Sequence, residues 1–170
     1  MTTFGRPVSN FDPEGLIFAV GLNSEIVKLY DRRNFEKGAF ASFKKQQDSD
    51  CDWTDLKISP DSKSILISTN GNVIHMVDSF KGTLLNTFSG HTNNKGVPLE
   101  ASFSPDSQFV FCGSTDRKVH CWNADTGVLV LSYTTEHQTP IQCVKFNPKY
   151  FMLATAAQDL AFWIPSITEE

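Results

Sequence analysis

His91, Ser114 and Asp116 are the side-chain types from which a hydrolase builds a proton relay. Such a relay needs an exposed nucleophile beside an oxyanion hole. No Gly-x-Ser-x-Gly elbow occurs in the chain, and a periodicity set out below accounts for all three residues. Asp48-Ser-Asp-Cys-Asp52 imitates the start of a calcium-binding loop, which requires Gly at its sixth position and Glu at its twelfth. Those positions hold Trp53 and Ser59, so the run reads as a solvated acidic loop. Cys51, Cys112, Cys121 and Cys143 form no C-x-x-C pair, and His75, His91, His120 and His137 form no H-x-x-x-H pair. Zinc needs clustered ligands at tight spacing, so no metal site is expected and the cysteines read as reduced, mostly buried thiols. No catalytic residue and no cofactor are expected.

The composition bounds what can carry any site. The chain has 170 residues, 40% hydrophobic and 20% charged, with fourteen Phe, three Trp and three Tyr. That is ample for a packed core and argues against a disordered chain. The net charge of −4 leaves no basic stripe to neutralise phosphates, so direct nucleic-acid binding is not expected. No apolar run approaches the ~20 residues of a membrane-spanning helix, and the first residues lack the apolar core of a signal peptide. An intracellular, soluble protein is the expectation.

The chain repeats. Asn10-Phe-Asp-Pro13, Ile58-Ser-Pro60-Asp, Phe103-Ser-Pro105-Asp and Phe146-Asn-Pro148-Lys line up, and the interval between their prolines shortens only slightly from one to the next. Each leads to a second landmark. Tyr30, Val77 and Trp122 follow Pro13, Pro60 and Pro105 at one identical spacing, and Trp163 follows Pro148 at a slightly shorter one. Between these anchors are short apolar runs of β-branched or aromatic residues, punctuated by turn residues, which predict strands. Proline falls in turns, where its missing N–H costs no ladder bond. No window has apolar residues at i, i+3, i+4 and i+7 over three turns, so helices should be nearly absent.

Fifteen strands are predicted: 6–11, 16–20, 26–30 and 39–43; 54–58, 65–69, 73–77 and 84–88; 98–103, 109–113, 118–122 and 128–133; 141–146, 151–156 and 160–164. Four strands per repeat with a period of about 40–45 residues describe an all-β, partial WD40-type β-propeller. It would be one domain over 1–170, with blades near 4–47, 48–92, 93–136 and 137–167 and the last blade incomplete. The third repeat carries the fullest WD signature, with Gly90-His91 at its start and Trp122-Asn123 at its end. Its expected structural tetrad is His91, Ser114, Asp116 and Trp122, a buried polar chain in which every member is satisfied. The fourth repeat has His137 and Trp163 and is read as having no Asp at the corner. Trp53 is a candidate protein-binding anchor, since Trp is enriched among interface hot spots. Asp50, Asn93 and Arg117, in connections at a blade end, are the other candidate contacts.

Longer runs carry a resemblance. Phe11-Asp-Pro-Glu-Gly-Leu-Ile-Phe-Ala, Asn23-Ser-Glu-Ile-Val-Lys-Leu-Tyr-Asp31, Asp78-Ser-Phe-Lys-Gly82, Leu99-Glu-Ala-Ser-Phe-Ser-Pro-Asp-Ser-Gln-Phe109 and Ala161-Phe-Trp-Ile-Pro165 resemble one family. It is the WD-repeat subunit family of COMPASS-type histone lysine methyltransferase complexes, the Swd-two or WD repeat protein eighty-two family, in its C-terminal half. The resemblance implies a non-catalytic scaffold, nuclear with some cytoplasmic protein, that docks the methyltransferase subunit and links it to transcribing RNA polymerase II with a phosphorylated tail. It also implies membership of a nuclear phosphatase complex and of RNA 3′-end processing machinery. An adaptor role in another complex, including a ubiquitin ligase, and a non-functional fragment are the alternative readings.

Family members have about seven blades, within the known propeller range. A four-blade arc would leave two apolar blade faces uncovered, which marks an interface or an aggregation liability. The expectation is a truncated form, a half-ring closed by a partner, or a homodimer that closes the ring.

Overall fold

The computed structural model describes residues 6–44 and 51–165. Within them the chain forms fifteen strands and a single 3-10 turn at Phe35–Lys37. The first sheet comprises β1 (Val8–Phe11), β2 (Ile17–Leu22), β3 (Ile26–Asp31) and β4 (Ala41–Lys44). The second comprises β5 (Trp53–Ile58), β6 (Ser64–Thr69), β7 (Val73–Asp78) and β8 (Leu84–Ser89). The third comprises β9 (Ala101–Phe103), β10 (Phe109–Gly113), β11 (Lys118–Asn123) and β12 (Leu129–Thr134). The fourth has three strands: β13 (Cys143–Phe146), β14 (Leu153–Ala156) and β15 (Leu160–Trp163). Every sheet is an antiparallel meander in sequence order. β1 adjoins β5 and β9 adjoins β13, so the first strands form the inner wall and the fourth strands the rim. This is a partial WD40-type propeller of four blades, the last of three strands.

The turns explain the prolines. In the second blade the Ser59 hydroxyl donates to Asp61 Oδ1 at 2.6 Å and accepts the Ser64 N–H at 2.9 Å. In the third, Ser104 does the same with Asp106 and the Phe109 N–H. Asp12 supplies the equivalent acceptor for the Ile17 N–H in the first. Side-chain oxygens thus satisfy strand-end amides while proline occupies a position that needs no donor. Shortly after each of the first three prolines the backbone is left-handed: Gly15 at φ 68°, Ser62 at 60° and Ser107 at 63°.

Alternation of side chains across each strand gives every blade two faces. Blades one and two bury Ala19, Val27 and Leu29 against Leu56, Ile65 and Val77. Blades two and three bury Leu66, Ile74, Met76 and Phe88 against Phe103, Val110, Cys112 and Trp122. Blades three and four bury Val119, with Phe111 and Tyr133, against Val144, Leu153, Phe146 and Trp163. The landmark residues Val77, Trp122 and Trp163 all face the preceding blade, which is why their spacing from the proline recurs.

All fifteen strands occur where the sequence places them. β9 starts at Ala101 and not at 98, because Leu99 and Glu100 turn toward neighbouring blades. The Leu99 carbonyl accepts from Thr54 Oγ1 at 2.9 Å, and the Glu100 N–H donates to the Gln142 carbonyl at 2.8 Å. Cys112 lies opposite His120 and Cys121 opposite Phe111, so the two thiols emerge on opposite faces of the sheet.

Candidate functional site

The residues brought together by the fold fall into an internal polar network, an inner wall and a rim of loops. The network belongs to the fourth blade. His137, on the loop before β13, is 2% exposed. Its Nδ1 lies 2.6 Å from Asp159 Oδ1 and its Nε2 lies 2.8 Å from Thr155 Oγ1. The Trp163 indole N–H donates to the same Thr155 oxygen at 2.8 Å. One tautomer satisfies all four groups: Nδ1–H donates to the carboxylate, the threonine O–H donates to Nε2, and the indole donates to the threonine. The order Asp–His–Thr has the connectivity of a hydrolase relay, but Thr155 is 0% exposed and its oxygen is occupied by the indole. No substrate atom can reach it, so the network is a strut between the loop and two strands.

The sequence pattern predicts this network in the third blade, and the structure corrects that. Trp122 Nε1 donates to the Ser89 carbonyl at 2.9 Å. The Ser114 hydroxyl donates to the Thr92 carbonyl and accepts the Thr92 N–H, both at 3.0 Å. With the indole and the hydroxyl both held by the Ser89–Thr92 segment, neither reaches the imidazole. His91 is buried with no hydrogen bond to either ring nitrogen, edge-on to Trp122, while His120 stacks on the same indole. Burial, reinforced by His120, pushes the His91 pKa down to about 4 against the opposing pull of the nearby Gly71 backbone and Asp116. Asp116 accepts from the Lys118 N–H at 3.3 Å and lies 3.9 Å from Lys118 Nζ. Burial works to raise its pKa, but Ser114, the Lys118 N–H and His120 together bring it below the ordinary carboxylate value. The missed signal was in the spacing: Asp159 stands as far beyond Pro148 as Asp116 does beyond Pro105. The shortening of the fourth repeat falls between Asp159 and Trp163.

The inner wall carries two ion pairs. Lys57 Nζ is 2.9 Å from Asp55 Oδ1 on β5, and Lys145 Nζ on β13 is 2.8 Å from Glu100 Oε2. Burial raises the pKa of Asp55 even with Lys57 beside it. For Glu100, burial is outweighed by Lys145 and Lys57, which lower it. Each lysine is thus paired with a carboxylate, while Asp55 Oδ2 is buried without a hydrogen-bond partner. Between blades three and four lies an apolar groove of about 650 Å³, floored by Phe109, Phe111, Tyr133, Phe146 and Trp163.

The rim of loops is the surface best suited to a partner. Asn93 Nδ2 donates to the carbonyls of Asn70 (3.0 Å) and Val97 (2.8 Å), and its backbone N–H donates to Asn72 Oδ1. Thr115 Oγ1 donates to the Thr92 carbonyl at 2.9 Å. Thr135 donates to the Arg117 carbonyl through both its N–H and its hydroxyl. Loops of blades two and three are therefore cross-bonded into one stiff surface, on which Asn94, Lys95, Arg117 and Glu136 lie. Of the candidate contacts, Arg117 is presented on this surface. Asn93 is buried and acts as the staple beneath it. Trp53 is turned inward, 5% exposed, its ring filling the space left by the absent side chain of Gly21. It is a core residue between blades one and two, not an anchor. Asp50 lies outside the described residues.

Residues 82–123 match the WD domain, G-beta repeat family. The chain is 62% identical, over 97% of its length, to WD repeat-containing protein 82 of Drosophila melanogaster, covering 52% of that protein. It is 35% identical over 95% of its length to protein ANTHESIS POMOTING FACTOR 1 of Arabidopsis thaliana, covering 48% of it. It is 25% identical over 91% of its length to the COMPASS component SWD2 of Saccharomyces cerevisiae, covering 50% of it. The chain is homologous to these proteins and spans about half the length of each.

Proposed function

We propose that this WD-repeat chain is a protein-docking scaffold of a COMPASS-type histone lysine methyltransferase complex, nuclear and without catalysis of its own. The single observation that carries the docking role is the cross-bonded loop rim spanning blades two and three, with Arg117 and Lys95 standing on it. A surface stiffened before binding loses little conformational entropy on contact, which favours recognition of a partner. The absence of catalysis is supported by the only relay-like constellation among the described residues, whose threonine is sealed and already engaged by the indole. The assignment to a methyltransferase complex rests on the homology to the yeast COMPASS component and on the runs quoted from the sequence. In this reading the rim holds the methyltransferase subunit and links it to RNA polymerase II bearing a phosphorylated tail.

The test is capture from nuclear extract with the tagged chain, followed by mass spectrometry. Recovery of methyltransferase-complex subunits, lost in Arg117→Glu, is the expected result. Recovery of chaperones alone would overturn the scaffold role for these four blades, and recovery of phosphatase or RNA-processing subunits in their place would overturn the choice of complex.

A further inference from the structure

We infer that Thr139 is a phosphorylation site for a proline-directed protein kinase, and that its phosphate governs the loop rim by holding Arg117. The site stands on its own geometry, whereas its effect on capture rests on the docking role proposed above. Among the described residues three hydroxyl side chains are followed by proline: Ser59-Pro60, Ser104-Pro105 and Thr139-Pro140. The fold separates them. Ser59 is 1% exposed, donates to Asp61 and accepts the Ser64 N–H. Ser104 is 5% exposed and is held in the same way by Asp106 and the Phe109 N–H. Both hydroxyls are engaged inside a blade turn, which would have to open before a kinase could reach them. Thr139 is half-buried. Its hydroxyl makes no hydrogen bond among the described residues, yet is not a buried unpaired group, so it meets solvent.

The backbone around Thr139 suits the reaction. It lies between β12 and β13, and no backbone hydrogen bond ties Gln138 or Thr139 to a neighbouring strand. Ring sterics of Pro140 favour an extended Thr139, the form in which a substrate hydroxyl enters a kinase cleft. The ends of the loop are fixed. Thr135 donates twice to the Arg117 carbonyl, and the Ile141 N–H donates to the Ser114 carbonyl at 3.2 Å. Ile141 closes against Gly113, where any side chain would strike its carbonyl. The loop is therefore laid along the Ser114–Arg117 hairpin turn, with Thr139 between the two anchors. Blades three and four flank it, so its seat depends on neither end of the chain. In the reaction Thr139 Oγ1 attacks the γ-phosphorus of MgATP, the bond from that phosphorus to the β-phosphate oxygen breaks, and ADP leaves. The hydroxyl proton passes to the catalytic aspartate of the kinase. The product carries a charge of about −1.5 to −2 and three strong acceptors. Arg117 is exposed and its hydrogen bonds run through its backbone, so its guanidinium is free to grip the phosphate with two parallel bonds. Lys118 is already turned toward Asp116, at 3.9 Å, and the exposed acids Glu136 and Asp159 repel the new charge, which leaves Arg117 as its counter-charge. An arginine held in this way is withdrawn from an anionic partner.

The test treats the purified chain and its Thr139→Ala variant with a proline-directed kinase and MgATP, and places the phosphate by peptide mass spectrometry. Thr139 should take up at least about tenfold more phosphate than Ser59 or Ser104, which need local unfolding to react. An unlabelled Thr139, or serines labelled to the same extent, would overturn the site. Treated and untreated chains are then compared in capture from nuclear extract, with phosphatases inhibited. The phosphorylated parent should capture about tenfold less of the methyltransferase complex, as Arg117→Glu should, while treated Thr139→Ala captures like the untreated parent. Full capture by the phosphorylated parent beside a defective Arg117→Glu would overturn the control of the rim. If Arg117→Glu also captured fully, the docking role would fall, and the labelling would still decide the site.

Discussion

His137 and Asp159 are joined at 2.6 Å through Nδ1, one side chain 1% and the other 63% exposed. The buried imidazole is thus anchored from solvent by a carboxylate on the turn between β14 and β15, and the fourth blade has a polar strut although it has only three strands. Without the carboxylate, a buried N–H would be left unpaired, at a cost of about 1–3 kcal/mol. Asp159→Ala should therefore lower unfolding stability by that amount in urea titration. Asp116→Ala, in the blade that carries the fuller sequence signature, should cost well under half as much. Asp116 holds a long backbone contact, a distant lysine and the neighbourhood of the Ser114 hydroxyl, and no buried imidazole is bonded to it. Equal losses would show that both blades use the same strut.

The third blade carries a response to acid. His91 titrates at about 4 in the fold, below its ordinary value of 6.5. Its folded pKa is depressed, so the unfolded chain binds the proton first and stability falls as pH drops from about 6.5 toward 4. A pKa lowered by one corresponds to about 1.4 kcal/mol, giving a loss of up to ~3 kcal/mol over this window. His120, also depressed by burial, adds in the same direction, and Asp55, raised by burial, opposes it in the lower part of the range. His91→Phe should flatten the decline in melting temperature between pH 6.5 and 4.5. An unchanged slope would remove His91 from the account.

Ser62 occupies the left-handed position that Gly15 fills one repeat earlier, at φ 60° and 68°. A side chain there costs roughly 1–2 kcal/mol, partly offset by the extra freedom glycine brings to the unfolded chain. Ser62→Gly should stabilise by about 0.5–1 kcal/mol, read as a higher urea midpoint with unchanged slope. Ser107 has the same backbone, but its hydroxyl accepts the Asp61 N–H from the neighbouring blade at 3.2 Å, so Ser107→Gly should gain less.

The fold was legible in the sequence because its determinants are local and periodic. Proline, the serine or aspartate beside it, and apolar runs of fixed length suffice to mark each strand and turn, and the repeat multiplies the signal. The network was less legible because motif strength and bond formation are different things. Gly90-His91 and Trp122 match the pattern, yet Ser89 and Thr92 compete for the same donors, a contest decided by loop geometry. Trp53 was misplaced for a related reason. It stands just outside the strand predicted over 54–58, and the vacancy that receives its ring is made by Gly21, far earlier in the chain and in another blade.

That relocation separates stability from docking. Trp53→Ala removes a buried aromatic from the seam of blades one and two and should cost about 3–5 kcal/mol, with capture of partners lost only in step with unfolding. Arg117→Glu changes an exposed side chain of a residue whose hydrogen bonds run through its backbone N–H and carbonyl, so stability should stay within about 0.5 kcal/mol. Its φ of 68° is already paid for by the fold and is common to both side chains. Capture of the partner, however, should fall by at least tenfold, as expected when a charge at an interface is reversed. The two variants measured side by side, by urea unfolding and by capture, distinguish a core residue from a contact residue. If Arg117→Glu captured as well as the parent while remaining folded, the loop rim would not be the docking surface.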